Sequence, residues 1–479
     1  MKKLNKVLLY FLPAVLFFSY HPVISLGANE FMNFDLSLPE IWLVLFFVAS
    51  LPTIRSFFKF YGLKRIALAY AIPMYFLLSS FWSGNVTRTI LTTGILGLVI
   101  FTVMQLLMML KEDSKLRGDL IKVLLFSAAF LCVVCWVQCV MDIAGISREY
   151  TLLCRGCTYS SFGFPHPNGF AIEPQFMGNL LLVPTLLSFY LLFASAYKNK
   201  KQKISLVILT GFLTTTLFIT LSRGAIFSFV LGLVVLFVFS CTKKFPLIKY
   251  KSKKARFTIA IMVVCMMLAL FSEGVFAAFS PTNDDFITGV TKSIHQMTLG
   301  VIDIRPTTNL VNDADESTTE EAISGAEDGS TEISSSFSGY VAESTDTRLN
   351  LNSLAIDTWV SSPKYFLVGT GIGAAGIAMH EKHPIELGPK EIVQNEYVSL
   401  LLETGVLGCL IILAVLIFAV RFIPKNPLFL AILVSFAFSL LFFSGLPNAL
   451  HVYILPFLFA TKYNFFVENK VQRHSDKRH

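Results

Sequence analysis

Long apolar runs separated by charged segments are the feature that most restricts how this chain can fold. A helix needs roughly 20 apolar residues to cross the hydrocarbon layer of a membrane. Runs that approach or exceed this length lie at 7–26, 39–54, 65–82, 89–110, 119–142, 176–197, 203–221, 225–241, 257–279, 397–420, 427–444 and 446–466. We therefore predict an all-α integral membrane protein with about twelve transmembrane helices. The first run could instead be a cleaved signal peptide, which would not change the orientation of the rest.

The composition excludes an ordinary soluble domain. Hydrophobic residues make up 54% of the 479 residues and charged residues only 15%, and 46 residues are phenylalanine. A soluble protein cannot cover that much apolar surface, whereas lipid can contact it directly.

The positions of Lys and Arg orient the predicted helices. Cytoplasmic loops collect these residues, and here every second connection is basic, beginning with the N-terminus and including 242–256. We therefore expect both termini to be cytoplasmic, and the connections 143–175 and 280–396 to lie outside. This asymmetry accounts for the net charge of +8 without a nucleic-acid partner.

The predicted organisation has six parts. Spans 1–5 (1–142) form a scaffold, spans 6–9 cover 176–279, and spans 10–12 cover 397–466. The other parts are the outside loops 143–175 and 280–396 and the cytoplasmic tail 467–479. Within the larger loop, 312–347 is rich in Ser and Thr and contains ten acidic residues but no Lys or Arg. That composition cannot bury a core and predicts disorder.

Arg223 in Ser222-Arg223-Gly224-Ala225 stands between two apolar runs. A charge at the bilayer centre costs between about 3 and more than about 10 kcal/mol, so such residues usually face a polar cavity or a partner. Arg223 therefore either marks the membrane surface or points into a site that holds an anion.

Polar residues from other segments are predicted at the same outer edge of the membrane. Glu173 precedes Pro174 at the start of a run, where it either serves the site or merely favours the helix dipole. Two or three arginines suit a diphosphate, because the guanidinium fork can hold phosphate oxygens bidentately. We therefore predict one outward-facing cavity that includes Arg155, Glu173, Arg223, Arg348, Gln394 and Asn395.

Several of these residues stand in motifs that carry a family resemblance. Ser222-Arg223-Gly224-Ala225 and Glu173-Pro174-Gln175 each open a predicted span, and Arg348 precedes an amphipathic helix. Gly369-Thr-Gly371-Ile-Gly373 follows, and then Gln394-Asn395-Glu-Tyr-x-x-Leu-Leu-Leu-Glu403-x-Gly405-x-x-Gly408. Over residues 150–410 this order resembles the bacterial O-antigen polymerase and O-antigen ligase superfamily of membrane glycosyltransferases.

The resemblance implies a C-type glycosyltransferase-like fold that acts on undecaprenyl-diphosphate-linked glycans outside the plasma membrane. It implies no nucleotide sugar, metal or other cofactor. In the predicted cavity Arg155, Arg223 and Arg348 would bind the diphosphate, and Glu173, Gln394 and Asn395 would act in catalysis.

One departure from the family pattern concerns the general base. The ligases have His-Asn where this chain has Gln394-Asn395. A glutamine cannot accept the proton, so that either Glu173 or one of His166, His380 and His383 takes this role, or stabilisation of the leaving group carries most of the reaction. The missing histidine favours a polymerase over a ligase.

The sequence therefore favours a polymerase for a capsule, exopolysaccharide or O-antigen, located in a bacterial plasma membrane. A ligase that moves the glycan to another acceptor is the nearest alternative. A lipid-linked glycan flippase or solute transporter is a further alternative, although transporters place charges at the membrane midplane and show matching halves. The expected partners are the bilayer and an undecaprenyl-diphosphate-linked oligosaccharide, and a chain-length regulator and a flippase are further candidates.

Overall fold

Helices dominate the part of the chain that the structure describes. The structure is a computed structural model, and the residues it describes are 2–28, 33–153, 166–194, 197, 199–220, 222–241, 260, 263–264, 267, 350–384, 387, 392–393, 395–420, 426–442 and 450–460. Their helices are α1 (Lys2–Phe17), α2 (Leu38–Ser50), α3 (Ile54–Tyr61), α4 (Leu63–Ala69), α5 (Ala71–Ser79), α6 (Val86–Glu112), α7 (Ser114–Ile143), α8 (Arg148–Thr151), α9 (Pro174–Phe193), α10 (Lys200–Ile219) and α11 (Arg223–Cys241). Further along lie α12 (350–360), α13 (Pro363–Val368), α14 (Ala375–Lys382), α15 (Glu396–Val420), α16 (Pro427–Ser439) and a 3-10 helix, Leu450–Phe459.

Seven of the helical stretches in these described ranges are long and apolar enough to cross a membrane: Leu38–Tyr61, Val86–Glu112, Lys115–Ile143, Pro174–Phe193, Lys200–Ile219, Gly224–Cys241 and Glu396–Ala419. Two shorter apolar helices are Leu4–Phe17 and Pro427–Ser439. The prediction of a mostly helical membrane protein is therefore confirmed, while the count of twelve spans stays a prediction. Most of the predicted span 257–279 and the acidic segment 312–347 lie outside the described residues.

The N-terminal region departs from the all-α prediction. The apolar run 7–26 was expected to be one helix, but α1 ends at Phe17 and the chain forms an antiparallel hairpin of β1 (Val23–Ala28) and β2 (Asn33–Ser37). The residue before a proline is biased towards an extended backbone, which disfavours helix at the His21-Pro22 step. The backbone N–H groups of Tyr20 and His21 instead donate to the Phe170 carbonyl at 3.0 and 2.8 Å.

The predicted span 65–82 is broken into α4 and α5 at Tyr70. Proline has no N–H, so Pro73 cannot donate to the carbonyl of Ala69, where α4 ends. The Tyr70 hydroxyl donates to the Gly97 carbonyl of α6 at 3.1 Å, which ties the break to the neighbouring helix. The run 446–466 likewise contains a 3-10 helix, Leu450–Phe459, with Pro456 inside it.

Helix α9 occupies the centre of the main hydrophobic core. All of its residues except Gln175 are buried, and it packs against α7, α10, α11 and α16. Close approach is possible because glycine lies at the crossing points. A Cβ at Gly232 of α11 would lie 1.9 Å from the Ser435 hydroxyl of α16 and 3.0 Å from Leu186 of α9.

Polar contacts hold both ends of α7, whose 30 residues span about 45 Å. At the N-terminal end of α7, the Lys6 ammonium forms a 2.7 Å ion pair with Asp113, which also caps α7 by accepting from the Lys115 N–H. The hydrogen bond from Lys6 lowers the pKa of Asp113. At the other end, Gln138 accepts from the Gly169 N–H at 2.8 Å and donates to its carbonyl at 2.9 Å.

Candidate functional site

Glu173 lies at the start of the central helix, as the sequence predicted. It is the N-cap residue of α9, with an extended backbone (φ −142°, ψ 156°), and Pro174 occupies the first helical position. Its side chain makes no capping hydrogen bond to the first turn. The residue is half-buried.

The motif Ser222-Arg223-Gly224-Ala225 packs directly on the first turns of α9. A Cβ at Gly178 would lie 2.6 Å from the Ala225 Cβ and 3.3 Å from the Ser222 Cβ. Only a glycine allows the two helices to approach this closely. Arg223 is the first residue of α11, so that the backbone carrying this arginine starts beside the backbone that follows Glu173.

The residues that follow α16 connect these helix starts. A Cβ at Gly224 would lie 2.8 Å from the Phe442 Cβ. The Gln175 side-chain amide donates a hydrogen bond to the Phe442 carbonyl. The same short segment therefore contacts the first turns of both α9 and α11.

The start of α15 reaches the same segment. The Glu396 N–H donates to the Leu440 carbonyl at 2.9 Å, and the Tyr397 hydroxyl donates to the Ala437 carbonyl at 2.7 Å. Asn395 caps α15, because its side-chain oxygen accepts from the Tyr397 N–H at 3.0 Å. Glu396 itself is only 1% exposed, and it is a buried carboxyl group to which the sequence reasoning assigned no role.

The structure thus brings together the segments that carry three of the six predicted site residues: Glu173, Arg223 and Asn395. They meet around 437–442 at one end of the bundle. For Arg223, the structure describes the position of the backbone and not that of the side chain. The other three predicted site residues, Arg155, Arg348 and Gln394, lie outside the described residues.

The histidines considered as alternative bases lie in three different settings. His166 is 7% exposed and precedes the buried turn at Asn168 and Gly169. The Nδ1 atom of His380 lies 2.5 Å from the Leu387 carbonyl. The Nε2 atom of His383 lies 3.2 Å from Asp357, a residue of α12. His380 lies within α14, and His383 follows its last residue.

Asp357 also links α12 to α14 through a charge pair. Its carboxylate lies 2.5 Å from the Lys382 ammonium. The hydrogen bond from Lys382 holds the pKa of Asp357 below its usual value. Within α12, Leu351, Ala355 and Thr358 are buried while Ile356 and Val360 are exposed, which agrees with the amphipathic helix expected after Arg348.

The turn Gly369-Thr370-Gly371-Ile372-Gly373 packs against α15. The backbone N–H groups of Thr370 and Gly371 donate to the carbonyls of Leu402 and Glu403 at 3.0 and 2.9 Å. A Cβ at Gly369 would lie 2.3 Å from the Glu403 carbonyl oxygen. The sequence predicted that this turn brings backbone close to another part of the protein, and that part is the second turn of α15.

Helix α15 bends where it meets this turn. Gly405 has φ 62° and ψ −175°, outside the helical region, and a Cβ there would lie 2.5 Å from the Leu367 backbone. One turn later, a Cβ at Gly408 would lie 2.6 Å from the Tyr75 ring of α5. Both glycines allow the close packing that the sequence predicted, and Gly405 also divides the helix.

Arg88 lies beside the Gly369–Gly373 turn, and the sequence reasoning missed it. It lies in the first turn of α6. Glu403 is 4% exposed, and its backbone carbonyl accepts from the Gly371 N–H. A Cβ at Gly373 would lie 2.9 Å from the Arg88 side chain. The sequence signal was a charged residue just before one predicted span, Arg88, and another inside a second span, Glu403.

Together these features define a class: a helical membrane protein whose polar segments meet at one end of the bundle. Residues 206–413, somewhat less than half of the chain, match the family described as O-Antigen ligase. The chain therefore resembles the O-antigen polymerase and ligase superfamily, as its motifs predicted, and the match indicates glycan transfer of that kind. Glu173 lies before the matched segment. No curated protein matches the chain.

Proposed function

We propose that this protein is a polysaccharide polymerase that transfers an undecaprenyl-diphosphate-linked glycan to a sugar hydroxyl of another lipid-linked repeat unit. The observation that carries the proposal is the meeting of three helix starts, those of α9, α11 and α15, around 437–442. Helix N-termini carry partial positive charge and favour anions. Three of them beside an arginine-containing motif suit the diphosphate of a lipid-linked donor.

In the proposed reaction, the acceptor hydroxyl oxygen attacks the anomeric carbon of the donor glycan. The bond from that carbon to the diphosphate oxygen breaks, and the lipid diphosphate leaves with the bonding electrons. Arg155, Arg223 and Arg348 neutralise the departing charge, while Glu173 accepts the hydroxyl proton. Gln394 and Asn395 align the sugars by hydrogen bonding, a contribution that depends on orientation more than on charge.

A ligase is the second candidate, and the description of the matched family favours it. The two functions share a donor and differ in the acceptor. The Gln394-Asn395 pair, in place of His-Asn, supports the polymerase. Supplying purified protein with lipid-linked repeat units as the sole substrate separates them, because only a polymerase then forms a ladder of longer chains.

The test of the diphosphate site is replacement of arginine by lysine. Arg223→Lys and Arg348→Lys keep the charge but lose the bidentate fork. A lost charge-assisted hydrogen bond is worth about 1.5–3 kcal/mol, which corresponds to a rate loss of about 10- to 100-fold. Each variant should accumulate unpolymerised substrate at normal protein abundance.

The matched control is Arg65→Lys, which replaces an exposed arginine of α4 and should polymerise at the normal rate. Normal chain length from both site variants would contradict the proposed diphosphate site.

A further inference from the structure

A polar cavity lies at the end of α7 that is far from the proposed glycan-transfer site. Its volume is about 260 Å³, whereas one water needs only about 10–15 Å³ of such space. Its wall includes Asp113 and Leu116 at the N-terminal end of α7. Gly169, which shortly precedes Glu173, contacts Gln138 near the C-terminal end of the same helix. The cavity is therefore separate from the proposed site.

Gln105 of α6 lines this cavity and carries an acceptor without a partner. The residue is 1% exposed. Its Nε2 donates to the Thr53 hydroxyl at 3.0 Å, and that hydroxyl donates to the Ser50 carbonyl at 2.8 Å. Because a hydroxyl has one proton, Thr53 can only accept from Gln105, which fixes the orientation of the amide. The Oε1 atom of Gln105 is thus an acceptor, and it has no hydrogen-bond partner among the described residues.

Asn5 of α1 contributes a second acceptor of the same kind. It lines the same cavity and is also 1% exposed. Within the described part of the chain, its Oδ1 atom has no hydrogen-bond partner. Burying an acceptor without a donor is unfavourable, and most buried polar groups in proteins are paired. Two such oxygens at one cavity therefore indicate a ligand with several hydrogen-bond donors.

The mouth of the cavity adds a net negative charge. Lys6 and Asp113 form their 2.7 Å ion pair there, with side chains 41% and 36% exposed. Glu112 is exposed and also lines the cavity. The described lining thus holds two carboxylates and one ammonium. A negative charge together with buried acceptors selects a cation that donates hydrogen bonds, and a primary ammonium has three donors and no acceptor.

The position of the cavity indicates a lipid as the source of this ammonium. Helices α6 and α7 are both long and apolar enough to cross a membrane, and the cavity lies where the first ends and the second begins. Lipid headgroups lie at this level of a membrane. Met108, Met109 and Leu116 give the cavity an apolar wall as well, which suits the carbon atoms of a headgroup.

We propose that this cavity binds a primary ammonium group, and that the group is the ethanolamine headgroup of a phospholipid. The ammonium donates to the amide oxygens of Asn5 and Gln105, while Glu112 and Asp113 balance its charge. The lipid phosphate stays at the mouth of the cavity, beside Lys6. The bound headgroup connects α1 to α6. This inference does not depend on the proposed function.

The test compares two phospholipids that have the same acyl chains. Phosphatidylcholine carries the same charges as phosphatidylethanolamine, but its quaternary ammonium has no N–H donor. Native mass spectrometry of the purified full-length protein in detergent gives the Kd of each lipid. We expect phosphatidylethanolamine to bind about tenfold more tightly or better, which is the effect of one charge-assisted hydrogen bond. Equal affinities would overturn the proposal and show that water satisfies the two amide oxygens.

Two variants locate the bound headgroup. Asn5→Leu and Gln105→Met each remove one acceptor at similar side-chain volume, so each should reduce the preference for phosphatidylethanolamine, and the double variant should abolish it. Gln202→Met makes the same change at an exposed glutamine of α10 outside the cavity, and it should keep the full preference. A preference that survives in the folded double variant would contradict this site. The comparison of the two lipids needs no variant, so it tests the proposal even if a variant fails to fold.

A competition experiment distinguishes a lipid from a soluble amine. Free ethanolamine has the same ammonium but no phosphate or acyl chains, so it should displace phosphatidylethanolamine only at a far higher concentration than the lipid itself. Displacement by free ethanolamine at an equal concentration would support the ammonium site and overturn the assignment to a lipid.

Discussion

The crossing of α9 and α11 provides the sharpest single perturbation of the proposed site. In Gly178→Ala, the new methyl group would lie 2.6 Å from the Ala225 Cβ. Carbon atoms prefer separations of about 3.5–4.0 Å, so the two helix starts must move apart by about 1 Å. Overpacking of this kind costs about 1–3 kcal/mol, of which alanine's better helix preference offsets about 1 kcal/mol.

The effect on the reaction should exceed the effect on stability. A misplacement of about 1 Å can lower a rate by about 100-fold, and this crossing sets the distance between the backbones of Glu173 and Arg223. We therefore expect Gly178→Ala to fold with a small drop in melting temperature while polymerisation of lipid-linked repeat units falls by roughly that factor.

Two variants control the interpretation. Gly211→Ala in α10 gives the same gain in helix preference, and its Cβ would have no atom within 4 Å, so its rate should be normal. Gly178→Ala/Ala225→Gly moves the methyl group from one helix to the other and should recover most of the lost rate. A normal rate for Gly178→Ala, or no recovery in the double variant, would refute the view that this crossing positions the site.

Two other predictions test the base and the orientation. Glu173→Gln keeps the shape of the side chain but cannot accept a proton. The transfer rate should therefore fall steeply while binding of the lipid-linked repeat unit persists. A modest loss of rate would indicate that Glu173 only interacts favourably with the helix dipole. A single cysteine introduced near residue 320 should react with a membrane-impermeant thiol reagent in intact cells, whereas one near residue 250 should not, and the reverse pattern would show that the chain is inverted.

The sequence predicted most of the helices because their signals are local. Apolar length and the alternation of basic loops need no knowledge of distant contacts. Helix caps are also local, because the capping side chain binds a backbone N–H two or three residues further along. Asn395, which the sequence analysis treats as a catalytic candidate, caps α15 in this way. The prediction was wrong for the single helices expected over 7–26 and 65–82, which end or divide before Pro22 and Pro73, whereas α9 continues through Pro184.

The contacts of the site could be predicted only in part. The motifs indicated that Glu173, Arg223 and Asn395 share one side of the membrane, and the structure places their backbones around one segment. The close approach of the Arg88 side chain to Gly373 joins residues far apart in the chain, and no local pattern specifies it. The bend at Gly405 depends on the Leu367 backbone passing beside it, which is also invisible in the sequence.

The C-terminal end of α16 explains why the three helix starts meet where they do. The last carbonyls of a helix and those that follow have no partner within that helix. Here the Ala437 carbonyl accepts a hydrogen bond from the Tyr397 hydroxyl. The Leu440 carbonyl accepts from the Glu396 N–H, and the Phe442 carbonyl accepts from the Gln175 side-chain amide. Each donor belongs to the first turn of another helix, and Gly224 adds the start of α11 by contact with Phe442. The backbone end of α16 thus orders three helix N-termini, which is the arrangement on which the proposed diphosphate site depends.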